Sequence, residues 1–205
     1  MGEKNKLAVD TYNQIAEKYD KKFGNDYSDT PFIDKFLNLL NGKNVLDIGC
    51  GVGSLTNYMH RKGFYLTGID LADKMLKITK QKYKDINFIR MDMKNITLNQ
   101  KYDGISILYS LFHLSKKEVM KVLPKYHELL NKNGKMLLIL QNGSGEKIVE
   151  EPLDKNLLMF VNYYSLDEIK EILENNKFKV LYTAYKKGCE GSLSDTKLVL
   201  ICEKI

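Results

Sequence analysis

The chain has 205 residues, 43% apolar and 28% charged, which suits one domain with a full hydrophobic core and excludes wholesale disorder. Its formal net charge is +6, yet all but Arg61 and Arg90 of the 32 basic residues are lysine. Arginine is the preferred residue for bidentate phosphate and guanine contacts, so its scarcity argues against a dedicated nucleic-acid binder.

In chain order, residues 6–20 read as a helix that Gly24-Asn25-Asp26 breaks, and Thr30-Pro31 opens a second helix through Leu40. The turn Asn41-Gly42-Lys43-Asn44 leads into the buried-type strand Val45-Leu46-Asp47-Ile48, which runs straight into glycines. Helix 54–62 follows, then strand 65–69 ending at Asp70, helix 72–83, and strand 87–91 ending at Asp92. Strand 103–109 precedes helix 116–131, and Asn133-Gly134 turns the chain into strand 135–140. After a cap at 141–164, Ser165 starts a helix over 166–176. Two last strands, 178–185 and 196–203, are joined by Lys187-Gly188-Cys189-Glu190-Gly191-Ser192, too short for a helical crossover, so they pair antiparallel. The pattern predicts an α/β fold: a doubly wound, Rossmann-like, seven-stranded and mostly parallel sheet with a C-terminal antiparallel hairpin. One domain is expected, with 1–42 as a helical lid, 43–140 as the ligand-binding core, 141–164 as the cap and 165–205 as the closing helix and hairpin.

No apolar run approaches the length of a membrane span, and Met1-Gly2-Glu3-Lys4-Asn5-Lys6 leads into no secretory core, so a soluble cytoplasmic protein is expected. Cys50, Cys189 and Cys202 form no pair at metal spacing, and neither do His60, His113 and His127, so no metal site is expected. The lysines at 74, 77, 80, 82 and 84 read as one solvated face.

Three signals carry the chemistry. Gly49-Cys50-Gly51-Val52-Gly53 links a strand to a helix; glycines there let the backbone turn sharply and approach a ligand. The spacing is neither the dinucleotide G-x-G-x-x-G nor a Walker loop, which counts against a nicotinamide-dependent oxidoreductase. Asp70, one strand over, is placed to accept hydrogen bonds from both hydroxyls of a ribose. Asp92-Met93, after the third strand, could take an adenine amino group and cover its ring. All three fall at strand C-termini, where open α/β sheets bind ligands.

With Gly68-Ile69-Asp70-Leu71-Ala72, Tyr102-Asp103-Gly104-Ile105, Leu111-Phe112-His113-Leu114 and the leading Tyr12-Asn13-Gln14-Ile15-Ala16-Glu17-Lys18-Tyr19-Asp20, these motifs resemble the class I S-adenosylmethionine-dependent methyltransferases, in their small-molecule branch, over roughly residues 8–205. The resemblance implies S-adenosyl-L-methionine as cofactor and S-adenosyl-L-homocysteine as product. It implies that the loop Gly49, Cys50, Gly51 and Gly53 approaches the methionine part, with Asp47 meeting the amino group, usually through water. It also implies that Asp70, with Leu71 beside it, holds the ribose, and Asp92 and the Met93 amide the adenine. Tyr109 and Ser110 would face the sulfonium, and Tyr12 and Tyr19 would close the lid.

Methyl transfer by in-line displacement needs alignment and exclusion of water more than a strong acid/base pair. His113 is the candidate proton acceptor, and Tyr19 or Tyr109 could orient the acceptor. The acceptor pocket is expected from segments 12–31 and 141–164, where Tyr12, Tyr19, Phe23, Tyr27, Glu150, Glu151, Phe160, Tyr163 and Tyr164 make an aromatic, acid-flanked set suited to a flat or cationic small molecule. An RNA or protein acceptor and a non-catalytic cofactor-binding protein remain open alternatives. A monomer or homodimer is expected, without a membrane partner.

Overall fold

Along the central strands, even- and odd-numbered residues divide between two hydrophobic clusters. Leu46 and Ile48 of β1 (Asn44–Ile48), Met136, Leu138 and Leu140 of β5 (Leu130–Gln141), and Leu198 and Leu200 of β9 (Thr196–Lys204) share one face. Val45, Leu137, Ile139, Val199 and Ile201 share the other. The period of two puts successive side chains on opposite faces, and both faces are apolar because helices cover both. Helices α5 (Lys116–Leu129) and α6 (Leu166–Asn175) cover the first face; α2 (Thr30–Asn38), α3 (Ser54–Arg61) and α4 (Asp73–Lys82) cover the second.

With β2 (Tyr65–Asp70), β3 (Asn87–Arg90), β4 (Tyr102–Leu108) and β8 (Phe178–Lys187), these strands form a seven-stranded sheet in the order β3-β2-β1-β4-β5-β9-β8. Strands β1 to β5 pair parallel, and β9 lies antiparallel between β5 and β8. This is the expected doubly wound sheet with its antiparallel hairpin. The strand order reverses between β1 and β4, which opens a crevice at their C-terminal ends.

The computed structural model describes residues 3–188 and 193–205. The start Met1-Gly2 and most of the loop expected to join the last strands (Cys189-Glu190-Gly191-Ser192) lie outside the described residues. Local signals fixed several boundaries: Pro31 opens α2, Ser115 and Glu118 form a capping box on α5, and Ser165 Oγ accepts from the Glu168 amide at 3.2 Å. Helix α5 ends at Leu129, not 131, because Leu130 already pairs with Tyr102; Asn133, at φ +58°, then carries the chain to renewed pairing at Gly104–Lys135.

The cap at 141–164 folds as a hairpin, β6 (Gly145–Glu151) and β7 (Asp154–Tyr163), forming a sheet of its own. Helix α1 (Glu3–Phe23) is longer than the predicted 6–20 and spans from that hairpin to α4. Thr11 Oγ1 donates to the Leu158 carbonyl at 2.7 Å, and Lys18 pairs with Asp154 at 2.7 Å. At its other side Asn13 Oδ1 accepts from the Lys74 amide at 3.0 Å, satisfying an open N–H in the first turn of α4. The α4 lysines are solvent-exposed, as expected. Among the described residues no helix is long and apolar enough to cross a membrane, and no His, Cys, Asp or Glu cluster is placed to hold a metal.

Candidate active site

The crevice begins at the loop after β1. Gly49 has φ +75°, and a Cβ there would lie 2.3 Å from Ser110 Cβ, so only glycine lets the ends of β1 and β4 approach this closely. Gly51 also has positive φ, +53°, but a Cβ on it would meet nothing within 4 Å; it opens onto the crevice. Gly53 packs the start of α3 against Thr79 of α4.

Asp70 ends β2 with both carboxylate oxygens held by backbone amides, Oδ2 by Gly51 and Oδ1 by Ala72, each at 2.8 Å. Each oxygen keeps a lone pair for a ligand. Burial raises the Asp70 pKa, and the two amides oppose that rise. Asp92 accepts from the Lys94 amide at 2.9 Å, which fixes its turn, and Tyr126 donates to the Met93 carbonyl at 3.0 Å. Asp47 is buried under two hydroxyl donors, Thr56 at 2.5 Å and Ser106 at 2.7 Å. Ser110 donates its hydroxyl to the Ile48 carbonyl at 2.7 Å, and burial pushes the Cys50 thiol well above its usual range.

Two cavities open along this edge. The larger, about 450 Å³, is walled by the glycine loop, Asp47, Phe23, Asp29, Phe112, Gln141, Met159, Lys186, Lys197 and the hairpin turn Glu151-Pro152-Leu153. The smaller, about 80 Å³, runs past Asp70, Leu71, Asp92, Met93, Ser110 and His113 beneath Asn5, Ala8 and Val9 of α1. Tyr12, Tyr19, Gly49, Gly51, Leu108 and Tyr109 border both. Tyr109 stands at that junction with φ +58°, a strained conformation for a bulky residue and the sort of outlier that marks a functional constraint. Its hydroxyl donates to Asp29 Oδ1 at 3.1 Å, and the Lys186 ammonium binds the same oxygen at 2.6 Å.

His113, expected as the candidate proton acceptor, is held by hydrogen bonds at both ring nitrogens. Nδ1 lies 2.9 Å from the Phe160 carbonyl and therefore carries the proton, and bare Nε2 accepts from the Tyr12 hydroxyl at 3.0 Å. Both nitrogens are engaged, and burial lowers the pKa to about 4. His113 is thus a weak base with no open lone pair; it positions Tyr12.

Two buried groups here give opposite pH dependences. His113 titrates near 6.5 when unfolded and about 4 when folded, so the native state binds fewer protons and stability falls as pH drops through that window, by about 3 kcal/mol. Asp47 rises from 3.8 to about 6, mainly through burial, so stability falls as pH rises from about 4 to 6, by a similar ~3 kcal/mol. Asp47→Asn should remove the falling contribution: between pH 4 and 6 its urea-unfolding free energy should rise relative to that of the wild type. Superimposable profiles would contradict the buried Asp47 carboxylate.

Of the residues expected in the acceptor pocket, Tyr12, Tyr19, Phe23 and Glu151 line the larger cavity, whereas Tyr27, Glu150, Phe160, Tyr163 and Tyr164 line neither. Phe160 and Tyr164 are core residues, and the Tyr163 hydroxyl donates to the Leu193 carbonyl at 3.0 Å. Sequence reasoning missed Asp29 and Lys186. Asp29 occupies the N-cap position of α2, yet its side chain caps nothing and turns to Tyr109 and Lys186 instead. Lys186, on the last strand pair, carries no sequence signal.

Residues 45–134 match the family described as "Methyltransferase domain". The chain is 30% identical over 190 residues to methyltransferase 235L of Invertebrate iridescent virus 6, covering 83% of this chain and 69% of that protein. It is also 30% identical over 151 residues to a methyltransferase of Bacillus cereus, covering 68% of this chain and 71% of the relative. Among solved structures, magnesium protoporphyrin IX methyltransferase from Synechocystis PCC 6803 with bound SAM superposes with a TM-score of 0.76 at 18% identity, covering 100% of this chain and 99% of that one.

Proposed function

We propose, for a chain that belongs to the class I S-adenosylmethionine-dependent methyltransferases, that its acceptor is a small molecule held in the larger cavity. When bound, the cofactor supplies a methyl carbon on a positively charged sulfur that departs as a neutral thioether. The residues present fit that cofactor. Asp70 retains two lone pairs for ribose hydroxyls, Asp92, which lines the same smaller cavity, would take the adenine amino group, and the open face of Gly51 leaves room for the methionine portion. The smaller cavity is well below the few hundred Å³ of ordinary ligand sites, so α1 lifts to admit the nucleoside and closes over it through Tyr12 and Tyr19.

One observation carries the acceptor reading: both cavities share the border of Gly49, Gly51, Leu108 and Tyr109, so the group at that border meets the cofactor from one side and the acceptor from the other. Tyr109, braced by Asp29, aligns the acceptor, while α1 and the β6–β7 turn exclude water. The larger cavity is bordered by Tyr12, Tyr19 and Phe23 of α1 and by the β6–β7 turn, with a volume suited to one small molecule. In the same vein, the magnesium protoporphyrin methyltransferase it superposes on is named for a small-molecule substrate. Incubating the protein with methyl-labelled donor and a metabolite extract, or with tRNA and total protein, tests this. Label should appear in a low-mass product; label confined to RNA or protein overturns the reading.

A further inference from the structure

On the reading that the larger cavity takes a small acceptor, we propose that Glu151 selects an amine, its open carboxylate oxygen holding the acceptor's ammonium or N–H group beside Tyr12 and Tyr19. Glu151 ends β6 at the turn that walls the cavity, and only 5% of it is exposed. Its Oε2 accepts from the Leu153 amide at 2.5 Å and the Asp154 amide at 3.0 Å, which fixes the carboxylate in one orientation. Its Oε1 accepts no hydrogen bond among the described residues. Nor is Oε1 sealed away, because the side-chain polar atom found both sealed and unpartnered among those residues is Asn162 Oδ1.

Among the described residues no cation forms an ion pair with this carboxylate. Lys186 is bound to Asp29, Lys18 pairs with Asp154, and Lys22 stands over the Phe23 ring at 5.3 Å without pairing to Glu151. Burial, with a smaller push from the Asp154 charge, raises the Glu151 pKa, and the Leu153 and Asp154 amides and the Lys22 charge oppose this only in part. A nearly buried carboxylate lacking a cation is costly, and such groups in clefts mark ligand sites. Tyr12, Tyr19 and Phe23 border the same cavity, and aromatic faces attract ammonium groups further. The missing partner is therefore a cation or N–H donor brought by the acceptor.

Calorimetry in the presence of S-adenosylhomocysteine, with 2-phenylethylamine, 2-phenylethanol and 3-phenylpropionate as probes, tests this. The wild-type protein should bind the amine at least about tenfold more tightly than the alcohol, because both can donate a hydrogen bond to Oε1 but only the ammonium brings a positive charge to it. Glu151→Gln keeps an oxygen for the Leu153 and Asp154 amides, so the turn and thermal midpoint should survive. In that variant the amine should fall to the level of the alcohol, whose affinity should stay within about twofold of wild type on the same reasoning. Equal binding of amine and alcohol by the wild type, a preference for the propionate, or an undiminished amine preference in Glu151→Gln overturns the role of Glu151 and leaves the small-acceptor reading standing. Binding of none of the three, with tRNA bound instead, overturns both.

Discussion

Replacing Asp70 by alanine is expected to weaken S-adenosylhomocysteine binding by roughly 100-fold, or about 3 kcal/mol. Two losses contribute. The ribose hydroxyls lose a carboxylate acceptor, and charge-assisted hydrogen bonds of this kind contribute about 1.5–3 kcal/mol each, not fully additively. The amides of Gly51 and Ala72 also lose the oxygens they donate to at 2.8 Å, which loosens the glycine loop and the entry to α4. Asparagine is no conservative substitute: whichever way its amide turns, an NH₂ group faces one of those two backbone N–H donors. Asp70→Asn should therefore bind nearly as poorly as Asp70→Ala. Calorimetry measures the affinity, and the thermal midpoint without ligand separates it from folding. Full affinity in Asp70→Ala would remove the ribose from this strand end.

Most of the framework was legible because its signals are local. Short apolar runs separated by helix-length segments imply covered parallel strands, and the short connection after 178–185 demands an antiparallel pair. Asp70 and Asp92 were proposed from their positions at strand ends, which follow from the alternation itself, whereas Asp47, inside β1, came only with the family resemblance. The hairpin at 145–163 was partly legible: Leu157-Leu158-Met159-Phe160-Val161 is a strand-like run, and Glu151-Pro152 a turn, but the cap was read for its aromatic and acidic side chains rather than for strands. Its facing was not legible at all. Phe160, Tyr163 and Tyr164 were expected in the pocket, yet register sends Phe160 and Tyr164 into the core and gives the wall to Met159 and the turn. The roles of His113 and Asp29 depend on partners 47 and 80 residues away, Phe160 and Tyr109, which no local pattern encodes.

The glycine loop separates folding from binding in a way one pair of variants should reveal. Gly49→Ala places a methyl group 2.3 Å from Ser110 Cβ and 2.6 Å from its Oγ, at φ +75°. The left-handed conformation alone costs an alanine about 1–2 kcal/mol, and the overlap adds more because Ser110 is itself fixed to the Ile48 carbonyl. A total of roughly 3 kcal/mol corresponds to a fall of about 6–12 °C in Tm for a domain of this size. Relief of the clash would push the ends of β1 and β4 apart, so cofactor binding should fail with the fold. Gly51→Ala meets the same backbone penalty at φ +53° but no neighbour within 4 Å, so Tm should fall by only about 2–8 °C. Its methyl group instead projects into the crevice, where S-adenosylhomocysteine affinity should drop at least tenfold in a folded protein. Thermal unfolding and calorimetry on both variants decide the matter. Equal losses of stability would mean that the contact between Gly49 and Ser110 does not hold the crevice together, and undiminished affinity in Gly51→Ala would move the cofactor off this loop.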